Sequence, residues 1–192
     1  MHLSSKLFVP YNRCCCMKKE ILATSVVLGL AALALQARCK PLETVKYVEL
    51  KKYLGTWFEI AAFPQVFEKD CSCTSATYGL AEDGSLIVKN RCIKDGSLKV
   101  KEGRAFVTDH TNAKLHVEFF WPFRSKYWII DLAKDYSYAV VGHPDRNHLW
   151  ILSRRPTLDE QTYNELVVRA ADKGFDVRNL VKTEQIADVS GI

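Results

Sequence analysis

From residue 55 to residue 154, apolar residues fall in short β-favouring runs separated by polar turn residues and do not repeat with a helical period. A pattern of this kind marks strands. It predicts strands at Gly55–Phe63, Cys73–Leu80, Leu86–Ile93, Leu98–His110, Lys114–Trp121, Tyr127–Ala133, Tyr138–His143 and His148–Arg154. Pro64 closes the first run, and Glu82-Asp83-Gly84 and Asp95-Gly96 separate later ones. Asp-Gly between β-rich runs is a hairpin signal, because the turn needs positive φ. Gly103, inside the long fourth run, predicts a bulge or bend. A short helical piece, VELKKYLG, leads into the first strand. The links between strands are short, and none is long enough for a crossover helix, so the eight runs read as a meander. Closing such a meander into a barrel removes its exposed edges and leaves room inside for side chains or one small ligand.

The pattern changes after the eighth run. Tyr163, Leu166, Val167, Ala170 and Ala171 form one helical stripe, with Gly174 as the stop. Thr157 is the expected cap, with Glu160 at the third helical position completing a capping box. A helix with a single apolar stripe needs a surface, and the outside of the barrel supplies it. A last short strand is expected at Leu180–Thr183. The predicted fold is all-β: an eight-stranded antiparallel up-and-down β-barrel with a C-terminal α-helix packed outside.

The N-terminal part has a different pattern. Lys18, Lys19 and Glu20 precede the apolar run Ile21–Leu35, and Ala37 offers a small residue for cleavage, as in a secretory signal peptide. The run is shorter than the roughly 20 residues a membrane span needs. Met17 is the expected start, with residues 1–16 upstream of it. The expected organisation is residues 1–37 as upstream residues plus signal peptide, and 38–192 as one domain. Removing residues 1–37 takes four of the 27 basic residues and one of the 22 acidic ones, lowering the formal charge from +5 to +2. So small a charge, with no basic cluster longer than Arg154-Arg155, argues against a nucleic-acid partner.

Cys39, Cys71, Cys73 and Cys92 remain after cleavage. Export implies an oxidising compartment, so disulfides are expected; four cysteines allow three full pairings, which spacing does not separate. Cys71 should start one strand and Cys92 end its neighbour at the same barrel rim, so a bridge from Cys92 to Cys71 or to Cys73 is favoured. No catalytic signature occurs: H-E-x-x-H, G-x-S-x-G, a P-loop and G-x-G-x-x-G are all missing from the sequence. His143 and His148 flank a turn and can face each other, but no recognised metal-ligand spacing accompanies them. No metal and no cofactor are expected. The strand aromatics Tyr78, Phe119, Trp121, Tyr127, Trp128 and Trp150 either fill a solid core or wall an apolar cavity.

The motifs YLGTWFEIA, ATYGLAEDGSL, PDRNHLWILSR and KGFDV resemble the lipocalins, in the branch of the bacterial outer-membrane lipocalins and apolipoprotein D. The likeness runs from Tyr53 to about Gln185. A third family motif, usually Thr-Asp-Tyr, stands here as Lys134-Asp135-Tyr136. The resemblance implies that Arg154 packs over Trp57 and closes the barrel base. It implies ligand-binding roles for Tyr78, Asn90, Phe119, Tyr127 and Trp150. It also implies carriage or storage of fatty acids, lysophospholipids or similar small hydrophobic ligands, without enzymatic activity, in envelope lipid maintenance or stress. The alternative is a cysteine-dependent enzyme, an isomerase or peroxidase, on the same barrel. The expected location is the bacterial periplasm or outer membrane, as a monomer or weak dimer. Cys39 sits where bacterial relatives carry a lipid anchor, but Arg38 before it suits that modification poorly; cleavage after Ala37 is favoured and the anchor stays open. Cys39 and Cys73 match cysteines of apolipoprotein D whose partners this sequence lacks.

Overall fold

The structure, a computed structural model, describes residues 40–65 and 70–185. The expected signal peptide and Cys39 lie outside the described residues. The elements run in order α1 (Leu50–Tyr53), β1 (Gly55–Ala62), β2 (Ser72–Leu80), β3 (Leu86–Lys94), β4 (Ser97–Val107), β5 (Lys114–Phe120), β6 (Phe123–Leu132), β7 (Tyr138–Gly142), β8 (Leu149–Ser153), α2 (Glu160–Asp172) and β9 (Val181–Lys182). Strands β1 to β8 pair antiparallel with their sequence neighbours, and β8 returns to β1. The sheet is a closed eight-stranded barrel with no free edge among those strands.

Strand alternation sorts the side chains into two cores. Inside lie Trp57, Tyr78, Val88, Leu115, Val117, Ile129 and Leu152. Outside, Ile130, Val140, Leu149 and Ile151 meet Leu166 and Ala170 of α2, together with Phe175. Four residues of the stripe expected on α2, Tyr163, Leu166, Val167 and Ala170, thus land on the outer wall, whereas Ala171 is exposed. The helix cap differs from the expectation: the helix begins at Glu160, and the Asp159 carboxylate accepts the Thr162 N–H at 2.8 Å. Thr157 falls outside the helix because the chain is still extended at Asp159, and Leu158 before it packs against the outer core.

Of the bulge or bend expected at Gly103, the bulge is not formed. The β3–β4 ladder runs through it without a shift of register, Val88 opposite Gly103. The glycine is needed because a Cβ there would stand 2.5 Å from the Glu118 carbonyl oxygen and 2.6 Å from the Phe119 ring. The two Asp-Gly turns form as read, with φ +51° at Asp95, +68° at Gly96 and +81° at Gly84.

At one end of the barrel β1 and β2 part company. Their ladder covers only Gly55–Phe58, and a strap of residues 181–185 fills the gap beyond. Thr183 donates to the Ile60 carbonyl, Cys73 donates to that of Glu184, and the Gln185 amide spans the Glu59 and Thr74 carbonyls. A disulfide joins Cys71 to Cys92 across β2 and β3, with Cα atoms 5.6 Å apart. It closes a loop of 21 residues' separation, which contributes about 3 kcal/mol by chain entropy. Cys73 lies in the bulge between Ser72 and Ser75 and is the free cysteine among the described residues.

Candidate functional site

The barrel is closed at the base. Trp57 is fully buried, and its indole N–H donates to the Tyr53 carbonyl at 2.8 Å. The Arg154 guanidinium lies 3.8 Å from the centroid of the Trp57 ring and donates to the carbonyls of Thr56, Lys52 and Leu54 at 2.7–2.9 Å. Gly55, at φ +91°, lets the chain turn tightly from α1 into β1 beneath that guanidinium. Arg155 faces solvent.

Above this base is a cavity of about 620 Å³ that opens at the far end. The volume falls within the roughly 300–1,000 Å³ usual for small-ligand sites. Tyr78, Asn90, Phe119, Tyr127 and Trp150, the five residues singled out in the sequence, all line it. Strand alternation brings them together: Leu149 and Ile151 go to the outer core while Trp150 and Leu152 face inward. The two other strand aromatics go elsewhere. Trp128 packs against the outer core, and Trp121 stands exposed at the β5–β6 turn.

Several groups at the site were not singled out. Tyr53, from α1, sits under the cavity floor, and its hydroxyl lies 2.8 Å from that of Tyr127; Tyr78 donates to Tyr127 at the same distance. Burial pushes the Tyr78 phenol up to about 12 and those of Tyr53 and Tyr127 well above the ordinary tyrosine range, so all three keep their protons. Glu59 is the one carboxylate among the described lining residues. It is buried, and its oxygen accepts the Thr183 hydroxyl hydrogen at 2.5 Å. At the opening, His148 meets Gln65 at 2.9 Å and stacks on Trp150. His143 and His148 do face each other, with centroids 5.6 Å apart. Among the described residues no cluster of three or more potential ligands is placed to hold a metal.

The rim is cationic and apolar together. Lys94, Lys99, Lys101 and Lys126 ring the opening. Beside them Phe120, Trp121 and Phe123 stand mostly exposed, Trp121 at 81%. Lys101 rests over the Phe120 ring at 4.1 Å.

Burial raises the Glu59 carboxyl above its ordinary 4.5, against the smaller opposing effect of the Thr183 hydrogen bond. The folded protein therefore binds this proton more tightly than the unfolded chain. The stabilisation is complete below pH 4.5 and is lost as pH rises through the raised value. We expect Glu59→Gln to flatten the dependence of melting temperature on pH above 4.5. An unchanged dependence in thermal melts would refute this assignment.

The lipocalin-like domain family matches residues 48–185. The chain belongs to the lipocalins. This family binds small hydrophobic ligands, and the closed barrel with its side helix is the family fold. The lipocalin is 41% identical to the outer membrane lipoprotein Blc of Escherichia coli K12, over 73% of this chain and 81% of that protein. It is 38% identical to temperature-induced lipocalin-1 of Arabidopsis thaliana, over 76% and 84% of the two chains. Bovine apolipoprotein D shares 38% over 72% of this chain and 77% of its own. Insecticyanin from the tobacco hornworm Manduca sexta superposes with a TM-score of 0.60 at 25% identity, covering 76% of this lipocalin and 85% of that chain.

Proposed function

We propose that this lipocalin carries or stores single-chain lipids, fatty acids or lysophospholipids, within an exported envelope compartment. The observation that carries this reading is the cavity itself: an aromatic and aliphatic wall beneath a ring of four lysines. An acyl chain fits the wall, and its carboxylate or phosphate meets the lysines. Each methylene buried contributes about 0.8 kcal/mol, so a dozen supply roughly 10 kcal/mol before association costs. The Asn90 side chain makes no hydrogen bond to a described residue and lines the cavity, so its amide is available to a head group. A cysteine-dependent reaction would need a thiol in the cavity; Cys71 and Cys92 line it but are joined, and Cys73 lies off its wall. The relative named as an outer membrane lipoprotein supports the envelope location.

Native mass spectrometry of protein from its own cells, followed by extraction, tests the reading. The expected result is about one fatty acid or lysophospholipid per barrel. A barrel that is empty and also refuses a fluorescent fatty acid would defeat it. The same spectrum reads any acyl chains on Cys39.

The rim suits delivery from an anionic bilayer. Aromatic side chains settle at the interfacial layer, and each nearby lysine adds about 1 kcal/mol against an anionic surface. Trp121 stands on the rim but does not line the cavity. Trp121→Ser is expected to weaken co-flotation with vesicles containing phosphatidylglycerol while fatty-acid affinity in solution stays unchanged. Equal flotation of both proteins would remove the bilayer from this account.

A further inference from the structure

The cavity floor holds a hydrogen-bonding group that a plain acyl chain leaves unused. Three phenols meet there, with Tyr127 in the middle. They carry three hydroxyl hydrogens but form two hydrogen bonds among themselves. Tyr78 spends its hydrogen on Tyr127, and Tyr53 and Tyr127 share one bond in which either is the donor. One hydrogen is therefore left over on Tyr53 or Tyr127. Tyr53 is 1% exposed and is not a wall residue, whereas Tyr127 lines the cavity. When Tyr53 donates, Tyr127 accepts from both neighbours and its own hydrogen is free for the cavity. No heavy atom has to move for this choice. The phenols stay protonated throughout the physiological range, because burial raises all three.

We propose that the tyrosine floor is a hydrogen-bond donor subsite, and that the preferred ligands are fatty acids bearing a hydroxyl or keto oxygen in the distal half of the chain. The proposal rests on the carrier reading and adds the chemical class of the ligand. Its two ends match the two ends of the cavity. Val88 lies opposite Tyr78, and Lys94 is the last residue of the same strand, about 20 Å further along at the usual strand rise. A carboxylate at the lysines therefore leaves the distal carbons near the phenols. A methyl group there strands a buried donor, whereas an oxygen satisfies it. Sites built to bond an oxygen discriminate against the analogue that lacks it.

Displacement of a fluorescent fatty acid tests this with a saturated long-chain acid and its hydroxy and keto derivatives, oxygenated at successive positions. In the wild type, one distal position is expected to bind about tenfold more tightly than the parent acid. The keto compound, which only accepts, should keep that gain. Tyr78→Phe still leaves two phenols, one bond and one spare hydrogen, so its preference should persist. The double variant Tyr78→Phe/Tyr127→Phe removes both phenols that line the cavity and should bind the oxygenated and the parent acids alike, the preference being read as their affinity ratio within the variant. A wild type in which no oxygenated position exceeds the parent overturns the proposal by itself, whatever the variants do. Survival of the preference in the double variant overturns it as well. Failure of every acid to bind would instead bring down the carrier reading, and this proposal with it.

Discussion

Trp57→Ala will destabilise the barrel by about 3–5 kcal/mol, the range for truncating a fully buried large aromatic. Few side chains in the protein have as many dependants. Trp57 is 0% exposed, packs 4.9 Å from the Tyr53 ring and lies 3.8 Å beneath the Arg154 guanidinium. Its indole N–H also ties β1 to the end of α1. Removing it leaves a cavity at the base and strips Arg154 of the surface it stacks on. Arg154→Lys is a finer test. Lysine keeps the charge but has no planar fork to reach the Thr56, Lys52 and Leu54 carbonyls together. The expected loss is smaller, about 1–3 kcal/mol. Urea denaturation of both variants reads the two values. A Trp57→Ala loss below about 1 kcal/mol would mean that the base collapses around the gap, and that the stack is no keystone.

The parts of this molecule that were legible in the sequence are the local ones. Short β-favouring runs and two Asp-Gly turns placed the strands because each signal acts over a few residues. The α2 stripe was legible for the same reason. Gly103 was expected to mark a bulge or bend; it is no bulge, and its cause, the Phe119 ring on the next strand, is invisible to a local pattern. Thr157 was the cap read from the sequence; the structure starts the helix at Glu160 with Asp159 as its cap, and Leu158 just before it is anchored in the outer core. The choice of Cys71 over Cys73 as partner of Cys92 likewise depended on a bulge in β2.

The candidate site divides in the same way. Five aromatic and polar wall residues could be named because the lipocalin resemblance carries them position by position. Tyr53 could not, because it belongs to a four-residue helix that precedes the barrel. Glu59 stood in plain view inside GTWFEIA. Its setting, however, is made by Thr183 and Gln185, more than a hundred residues later. The lysine ring draws on β3, β4 and β6, and no sequence window contains it.

Ala76→Trp will weaken ligand uptake by about 100-fold without unfolding the protein. Ala76 lines the cavity wall on β2, opposite Asn90, and an indole there projects into space that is otherwise open. Displacing only three or four methylenes of a bound chain, at about 0.8 kcal/mol each, loosens binding roughly 100-fold. The fold should tolerate the change because the added volume enters the 620 Å³ cavity and not the packed core. Fluorescent fatty-acid titration reads the first effect and thermal melting the second. Unchanged affinity with an unchanged melting temperature would place the ligand outside the barrel. The rim aromatics and lysines would then become the binding surface. Loss of uptake together with an intact fold would locate the lipid inside and separate a carrier from a barrel that merely adheres to membranes.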